Sequence, residues 1–337
     1  MTRILHAPAD VGGNALGLSR AERELGFESD VAVVAAGPFG YQADILFEDA
    51  HHPPLARLPR RVAFLRRAAH RYDIFHFNFG QTLLTVRAAG RVWNELAWLK
   101  RRGRTVVVTF QGCDVRPQRE CSCSKAACTA DDRYRPVNAE RIARFADRVL
   151  YLNPDLARWL PRAAAFMPYA SVDARAVEVG RDPGEPGELV VAHAPSDREV
   201  KGSAEVIAAV EALRAEGAEV RLDLIEGVPH DEVLARVGRA HVAVDQLNLG
   251  WYGALAVEAM ATGRPVLCAI DDAANPFGEE LPIVRARAGT LLEELRTLAG
   301  DPDRRRALGE RSRRFALERH DPRAIARDAY AGLVELP

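Results

Sequence analysis

The sequence of 337 residues has no hydrophobic run long enough to cross a membrane and no excess of charge of either sign. Its longest apolar runs have the length of a strand, whereas a transmembrane helix needs about 20 apolar residues. Because 46 basic residues are balanced by 47 acidic ones, no overall positive field attracts nucleic acid or an anionic membrane. The N-terminus lacks the apolar segment of a secretory signal. We therefore expect a cytoplasmic protein that binds no nucleic acid, and only peripheral membrane contact stays compatible with the composition.

Lysine is scarce, since only three of the 46 basic residues are lysines. A genome that favours arginine codons explains this bias. An ammonium group differs from a guanidinium group in size and geometry, so a lysine kept in such a chain also suggests a position that requires a compact cation. We apply this argument to Lys201 alone.

Four of the five cysteines lie in the segment 113–128, and a chain of this size needs no disulfides to fold. Their spacing is C-x7-C-x-C-x4-C, formed by Cys113, Cys121, Cys123 and Cys128. Four thiolates can close a tetrahedral structural zinc site. An iron–sulfur cluster would use the same ligands and is the less favoured metal. The alternative is a loop with free thiols.

Strands alternate with amphipathic helices along the chain, which predicts an α/β fold with parallel, doubly wound sheets. Residues 181–187 contain two prolines and two glycines and read as part of a linker. We therefore predict a Rossmann-like domain at 1–172, a linker at 173–187 and a second Rossmann-like domain at 188–337. Ligands of such folds bind at the carboxyl ends of the strands, so a cleft between the two sheets is the expected site.

Polar residues follow two strands of the second domain. The loop with Ser196, Arg198, Lys201 and Gly202 opens a helix, and it can direct backbone N–H groups and a cation at a diphosphate. Further along, Glu258 lies among apolar residues of a helix that begins at Gly253. A buried carboxylate needs hydrogen-bond donors, which paired sugar hydroxyls supply. Taken singly, Lys201 is better explained as a solvated surface charge, and Glu258 as a helix-capping or interhelical salt-bridge residue.

The stretch Gly253-Ala-Leu-Ala-Val-Glu258-Ala-Met-Ala-Thr-Gly263-Arg-Pro265-Val266, with Lys201-Gly202 before it, resembles the donor domain of retaining GT-B glycosyltransferases of family 4. The resemblance implies two Rossmann-like domains facing each other across a cleft. It implies transfer of a sugar from a nucleotide diphosphate sugar to a hydroxyl of a small-molecule or glycan acceptor, with retention and without a catalytic divalent cation.

The resemblance also implies roles for individual residues. Lys201 would neutralise the leaving diphosphate, Glu258 would bind the ribose, and the Gly253 turn would present amides to the phosphates. Where the family has an arginine this chain has Ser196, and we expect Arg198, two residues further on, to supply that positive charge. The whole nucleotide set is Gly12, Gly13, Ser196, Lys201, Gly202, Tyr252, Gly253 and Glu258.

Three positions depart from the family pattern. Gly250 replaces a glutamate, Ser196 replaces an arginine, and Gln111 replaces a histidine. Because Gly250 has no side chain to hold the sugar, we expect Asp245 and Gln246 to make that contact.

In the first domain, Asn78, Gln111 and Asp114 follow predicted strands and are candidates for acceptor binding, with Asp114 for proton handling. Three alternatives stay open: a non-catalytic nucleotide or sugar binder of the same fold, a GT-B sugar-nucleotide epimerase, and a metal-dependent redox or regulatory protein. The sequence does not indicate the oligomeric state.

Overall fold

A computed structural model describes residues 1–37, 40–120, 132–180 and 187–335. The chain folds into two compact units. Residues 1–120, 132–171 and 322–335 form the first unit, and residues 172–180 and 187–321 form the second. The linker predicted at 173–187 falls partly on residues 181–186, which lie outside the described residues. Among those described, no helix combines the length and the apolar character needed to span a membrane.

The first unit contains a parallel sheet of seven strands in the order β3-β2-β1-β4-β7-β8-β9. The strands of this sheet are β1 Arg3–Ala7, β2 Glu28–Val33, β3 Ile45–Leu46, β4 Ile74–Asn78, β7 Thr105–Phe110, β8 Arg148–Tyr151 and β9 Ala165–Phe166. Two further strands, β5 Val86–Ala88 and β6 Arg91–Trp93, form an antiparallel hairpin outside the sheet. Its larger helices are α1 Asn14–Glu24, α2 Pro54–Arg71, α3 Leu96–Lys100 and α4 Arg135–Phe145. The central strands are buried on both faces, as their continuous apolar sequence predicts.

The second unit contains a parallel sheet of five strands in the order β11-β10-β12-β13-β14. The strands are β10 Leu189–His193, β11 Val220–Leu224, β12 Val242–Val244, β13 Val266–Cys268 and β14 Val284–Arg285. The helices are α5 Arg198–Lys201, α6 Ser203–Ala215, α7 His230–Arg239, α8 Ala254–Ala261, α9 Leu291–Gly300 and α10 Pro302–Arg319. Both units are doubly wound α/β structures, so the predicted fold class is confirmed.

The sequence pattern of residues 83–102, closed by Gly103, predicts one long helix, and this prediction is wrong. That stretch forms the hairpin β5–β6 and the short helix α3. Ala89 and Gly90 both have positive φ at the hairpin turn, a conformation that a helix cannot contain. Val86 pairs with Trp93 across the hairpin, and β-branched and aromatic residues favour such pairs.

The last helix, α11 Pro322–Tyr330, belongs to the first unit, whereas the predicted second domain runs to residue 337. Its buried residues Ile325, Ala329 and Tyr330 join a core cluster with residues of the first unit such as Ile4 and Leu18. The apolar side of α11 is therefore covered by elements more than 300 positions earlier in the chain. No local pattern reports a partner that distant.

Candidate functional site

Lys201 is held by two polar residues at the carboxyl edge of the second sheet. Its Nζ donates to Oδ1 of Asp245 at 2.8 Å and to Oε1 of Gln246 at 2.8 Å. Lys201 ends α5, which follows β10, and Asp245 follows the neighbouring strand β12. The Lys201 side chain is 12% exposed. An ammonium group has three N–H donors, so one is left for a ligand once both contacts are made.

Asp245 does not occupy the position expected of a sugar contact. Its side chain has no exposed surface, and its second oxygen accepts the backbone N–H of Gly253. Gln246 is similarly engaged, because its Nε2 donates to the carbonyl of Trp251. Asp245 and Gln246 thus fix the ammonium and the loop before α8, and their role as sugar ligands stays a prediction.

Gly253 fits this network because it has no side chain. A Cβ there would lie 3.0 Å from Nζ of Lys201 and 3.4 Å from Oδ2 of Asp245. The backbone N–H of Gly253 is already bonded to Asp245, so the predicted presentation of this amide to a phosphate is not seen. The first amides of α8 beyond Gly253 are the ones at the helix N-terminus, where the helix dipole favours an anion.

Glu258 lies on α8 and is nearly buried. Its Oε1 lies 2.8 Å from Nε2 of His230, the first residue of α7. This is the interhelical pair that the sequence left open beside ribose binding. His230 was missed by the sequence reasoning, since a partner 28 positions away leaves no periodic signal.

The remaining residues of the predicted diphosphate loop face outward. Ser196 is exposed. Arg198 pairs with Glu226 at the end of β11, with Nε to Oε1 at 2.8 Å, and the Arg198 side chain is mostly exposed. The hydrogen bond from Arg198 lowers the pKa of the Glu226 carboxyl. The charge of Arg198 is thus already balanced by Glu226. Gly202 has a φ of 76° and joins α5 to α6.

Tyr252 points away from the loop, in contrast to its predicted role in nucleotide binding. Its ring is fully buried and stacks on the ring of Trp251, with 4.5 Å between the two ring centroids. Its hydroxyl oxygen lies 3.1 Å from Nε2 of His320. These contacts anchor the loop before α8 to the end of α10. The side chain is therefore part of the core of the second unit.

In the first unit, three predicted residues meet at the ends of the adjacent strands β4 and β7. Asn78 ends β4, and its Oδ1 is buried with no hydrogen-bond partner among the described residues. Gln111 follows β7, and both polar atoms of its side chain are also buried without a hydrogen-bond partner among the described residues. Such orphaned polar groups are rare in folded proteins, so these two amides are suited to bind a polar ligand.

Asp114 closes the loop after β7. Its oxygens accept the backbone N–H groups of Gln111 at 2.9 Å and Gly112 at 2.7 Å. Burial raises the pKa of Asp114 to about 6, although the two amides act in the opposite direction. A carboxyl group with such a pKa can exchange a proton near neutral pH.

Gly12 and Gly13 form the turn between β1 and α1, as the sequence predicts, and both have positive φ. A Cβ at Gly13 would lie 2.7 Å from the ring of Tyr41. Of the predicted metal ligands, Cys113 is partly buried and its carbonyl accepts from Nε of Arg135 at 2.7 Å. Cys121, Cys123 and Cys128 lie outside the described residues, so the zinc site stays a prediction from spacing.

A buried polar cluster in the first unit was not found from the sequence. His6 Nε2 lies 2.9 Å from Oε2 of Glu22, and Tyr330 donates its hydroxyl to Oε1 of Glu22 at 2.7 Å. His76 lies 2.8 Å from that hydroxyl through Nδ1 and 2.7 Å from Oγ1 of Thr109 through Nε2. Burial lowers the pKa of His76 well below its usual value. The cluster ties α11 to β1, α1 and β4.

No family model and no curated protein matches the sequence, but solved structures do. Sucrose-phosphate synthase from Thermosynechococcus elongatus is 18% identical, with 97% of each chain covered and a TM-score of 0.67. HepE from Anabaena, in complex with UDP-glucose, is 15% identical, with 99% of each chain covered and a TM-score of 0.66. WaaG, a glycosyltransferase of lipopolysaccharide biosynthesis, is 15% identical, with coverages of 98% and 100% and a TM-score of 0.57. These similarities confirm the predicted GT-B fold.

Proposed function

We propose that the protein is a glycosyltransferase that moves a sugar from a nucleotide diphosphate sugar to an acceptor hydroxyl with retention of configuration. The observation that carries the proposal is the preset ammonium of Lys201 at the carboxyl edge of the second sheet. In this fold that edge is where ligands bind. The complex of the structurally similar HepE with UDP-glucose supports a nucleotide sugar as the donor.

Leaving-group stabilisation follows from the position of Lys201. As the bond to the sugar breaks, charge grows on the diphosphate, and a cation fixed in advance stabilises it without reorganisation. Asp245 and Gln246 hold Nζ in place, and the N-terminus of α8 contributes a favourable dipole. We propose that these groups replace a catalytic divalent cation.

The donor and the acceptor are assigned to different residues. Glu258 would bind the ribose hydroxyls together with His230, whose Nε2 is 2.8 Å from its carboxylate. In the first unit, Asn78 and Gln111 would bind an acceptor through their orphaned amide atoms. Asp114, with its pKa near 6, would take up or return the acceptor proton.

Ligand-induced stabilisation tests the donor site. UDP, GDP, ADP and TDP and their sugars are compared by the rise in melting temperature, since a ligand that binds the native state stabilises it. We expect one nucleotide to give the largest shift. Lys201→Ala should weaken the binding of the diphosphate-containing ligand about tenfold or more, because a charge-assisted contact is worth ~1.5–3 kcal/mol. Glu258→Ala should weaken the binding of the nucleoside and of the nucleotide to the same extent.

Lys100→Ala is the matched control, because Lys100 forms an ion pair with Asp147 in the first unit. Unchanged diphosphate affinity in Lys201→Ala contradicts the assignment of the donor site. Incubation of the protein with the donor alone then separates two enzymes of this fold. Conversion of the sugar without an acceptor indicates an epimerase, and binding without turnover in any acceptor screen indicates a non-catalytic binder.

A further inference from the structure

The first unit exposes a cluster of large apolar side chains around one groove. Leu58 on α2 is 50% exposed, and Val86 and Trp93 on the hairpin β5–β6 are 45% and 43% exposed. All three line a cavity of about 360 Å³, together with Val62, Leu65, Arg66, Leu84 and Trp98. Exposed apolar residues that lie singly need no explanation, but a contiguous group marks a binding surface.

The hairpin presents its exposed residues on one face. Val86 pairs with Trp93 and Ala88 pairs with Arg91 across the two strands, and all four are exposed. The intervening Val92 is buried, because side chains alternate between the faces of a strand. The outer face therefore combines an indole, two small apolar groups and a guanidinium.

The exposed side of α2 is positively charged. The helix contains six arginines and no acidic residue. Three of these arginines are exposed and have no ion-pair partner in the described part of the chain: Arg60, Arg66 and Arg67. Arg102, which is also exposed, lies 3.6 Å above the ring of Trp98 in the groove. Among the described residues that line the groove, the single carboxylate is that of Glu95, which is buried and accepts the backbone N–H groups of Leu83 and Leu84.

We propose that this surface, formed by α2 and the hairpin β5–β6, binds the interface of an anionic lipid bilayer. Arginines that flank an apolar surface suit anionic headgroups, and tryptophan favours the boundary between headgroups and acyl chains. Leu58, Val86 and Trp93 enter the headgroup layer, while Arg60, Arg66 and Arg67 contact phosphates. Because the net charge of the whole chain is only −1, this local complementarity is the source of selectivity. The inference does not depend on the nucleotide site.

Vesicle co-sedimentation tests the proposal with the full chain. We expect binding to vesicles of phosphatidylcholine mixed with phosphatidylglycerol, and at least tenfold weaker binding to phosphatidylcholine alone. Leu58→Ser with Trp93→Ser should abolish binding to both. Arg66→Gln with Arg67→Gln should reduce anionic-vesicle binding by roughly fivefold per arginine, with a weaker dependence on salt.

Two control variants change similar residues elsewhere. Val179→Ser alters an exposed valine of the second unit, and Arg311→Gln with Arg314→Gln alters exposed arginines of α10. Both should bind vesicles like the unchanged protein, and thermal melting verifies that every variant is folded. Absence of vesicle binding by folded protein overturns the proposal, as does equal binding by the surface variants. Self-association that is lost in Leu58→Ser with Trp93→Ser, or retention on a heparin column without vesicle binding, assigns the surface to another partner and also overturns it.

Discussion

At the scale of single residues, the second unit shows how one cation is fixed by groups that the sequence assigned elsewhere. Asp245 is fully buried and divides its oxygens between Lys201 and the Gly253 amide. A buried carboxylate is stable only with such partners. We therefore propose that Asp245 would affect a ligand only through the position of Lys201.

Replacement of Asp245 by asparagine should lower affinity for the nucleoside diphosphate and donor turnover together. An asparagine has one acceptor oxygen for these two donors, so its NH2 group would face either the Gly253 N–H or the Lys201 ammonium. A buried donor without an acceptor costs ~1–3 kcal/mol. Calorimetric titration with the nucleoside diphosphate and with the nucleoside measures the effect, which should be larger for the diphosphate. Asp147→Asn, at the other lysine ion pair, is the control. Unchanged diphosphate affinity with reduced turnover would place Asp245 at the sugar.

Gly253→Ala tests the same network from the backbone side. The added Cβ would lie 3.0 Å from Nζ of Lys201, so the ammonium must move. We expect about a tenfold loss of diphosphate affinity, the size of one charge-assisted contact. Gly289→Ala is a matched control because a Cβ there meets nothing within 4 Å. The network is not needed for binding if the two variants bind alike.

At the scale of elements, the C-terminal helix α11 is an integral part of the first unit. Tyr330 lies within a buried cluster in which Glu22 accepts from its hydroxyl and from Oγ of Ser29. Burial raises the pKa of Glu22, but His6 and the hydroxyl donors outweigh it, so that the pKa lies below its usual value. The ionised carboxylate therefore holds α11 to α1.

Tyr330→Phe should lower the free energy of unfolding of the first unit by ~1–3 kcal/mol, because it removes a donor to a buried carboxylate. Denaturant unfolding followed by hydrogen exchange in β1 and α11 measures this change. Tyr72→Phe is the control. Its hydroxyl bonds Asp30, which also pairs with Arg71 and is partly exposed, so water can replace the lost contact. Equal losses in both variants would contradict a special role for Tyr330.

At the scale of the whole molecule, acidification acts on folding through the buried histidine His76. The pKa of His76 is well below 6.5 in the native state because of burial and the nearby His6. Below pH 6.5 the unfolded chain binds a proton there and the native chain does not. The contribution of His76 to stability is therefore complete above about pH 6.5 and declines on acidification by about 1.4 kcal/mol per pH unit.

Comparison with His76→Gln isolates this contribution. Asp114 acts in the opposite sense, since its pKa of about 6 makes the native state bind the extra proton at lower pH. The measured quantity is therefore the difference between the two proteins in free energy of unfolding, followed from about pH 5 to 7. On acidification, the free energy of unfolding of the unchanged protein should fall more steeply than that of the variant. The difference in slope should correspond to about one bound proton. Parallel curves would show that His76 is charged in the native state.

The alternation of strands and helices, the two doubly wound units and the segment around Lys201 can all be read from the sequence alone. These features follow from local periodicity, from glycine turns and from a contiguous motif, so a linear reading can detect them. The pattern predicts strands at Arg3–Ala7 and Thr105–Phe110, and β1 and β7 have these bounds, because apolar runs bounded by turns define a buried strand.

Which polar groups are available to a ligand depends instead on the three-dimensional packing of the chain. Asp245 and Tyr252 both lie near Gly253 in sequence, yet one is consumed by Lys201 and the other is turned into the core beside His320. Likewise, α11 joins the first unit through Tyr330 and Glu22, which are 308 positions apart. Hydrogen-bond partners and burial depend on contacts between distant segments, and the amino-acid pattern around a residue does not contain them.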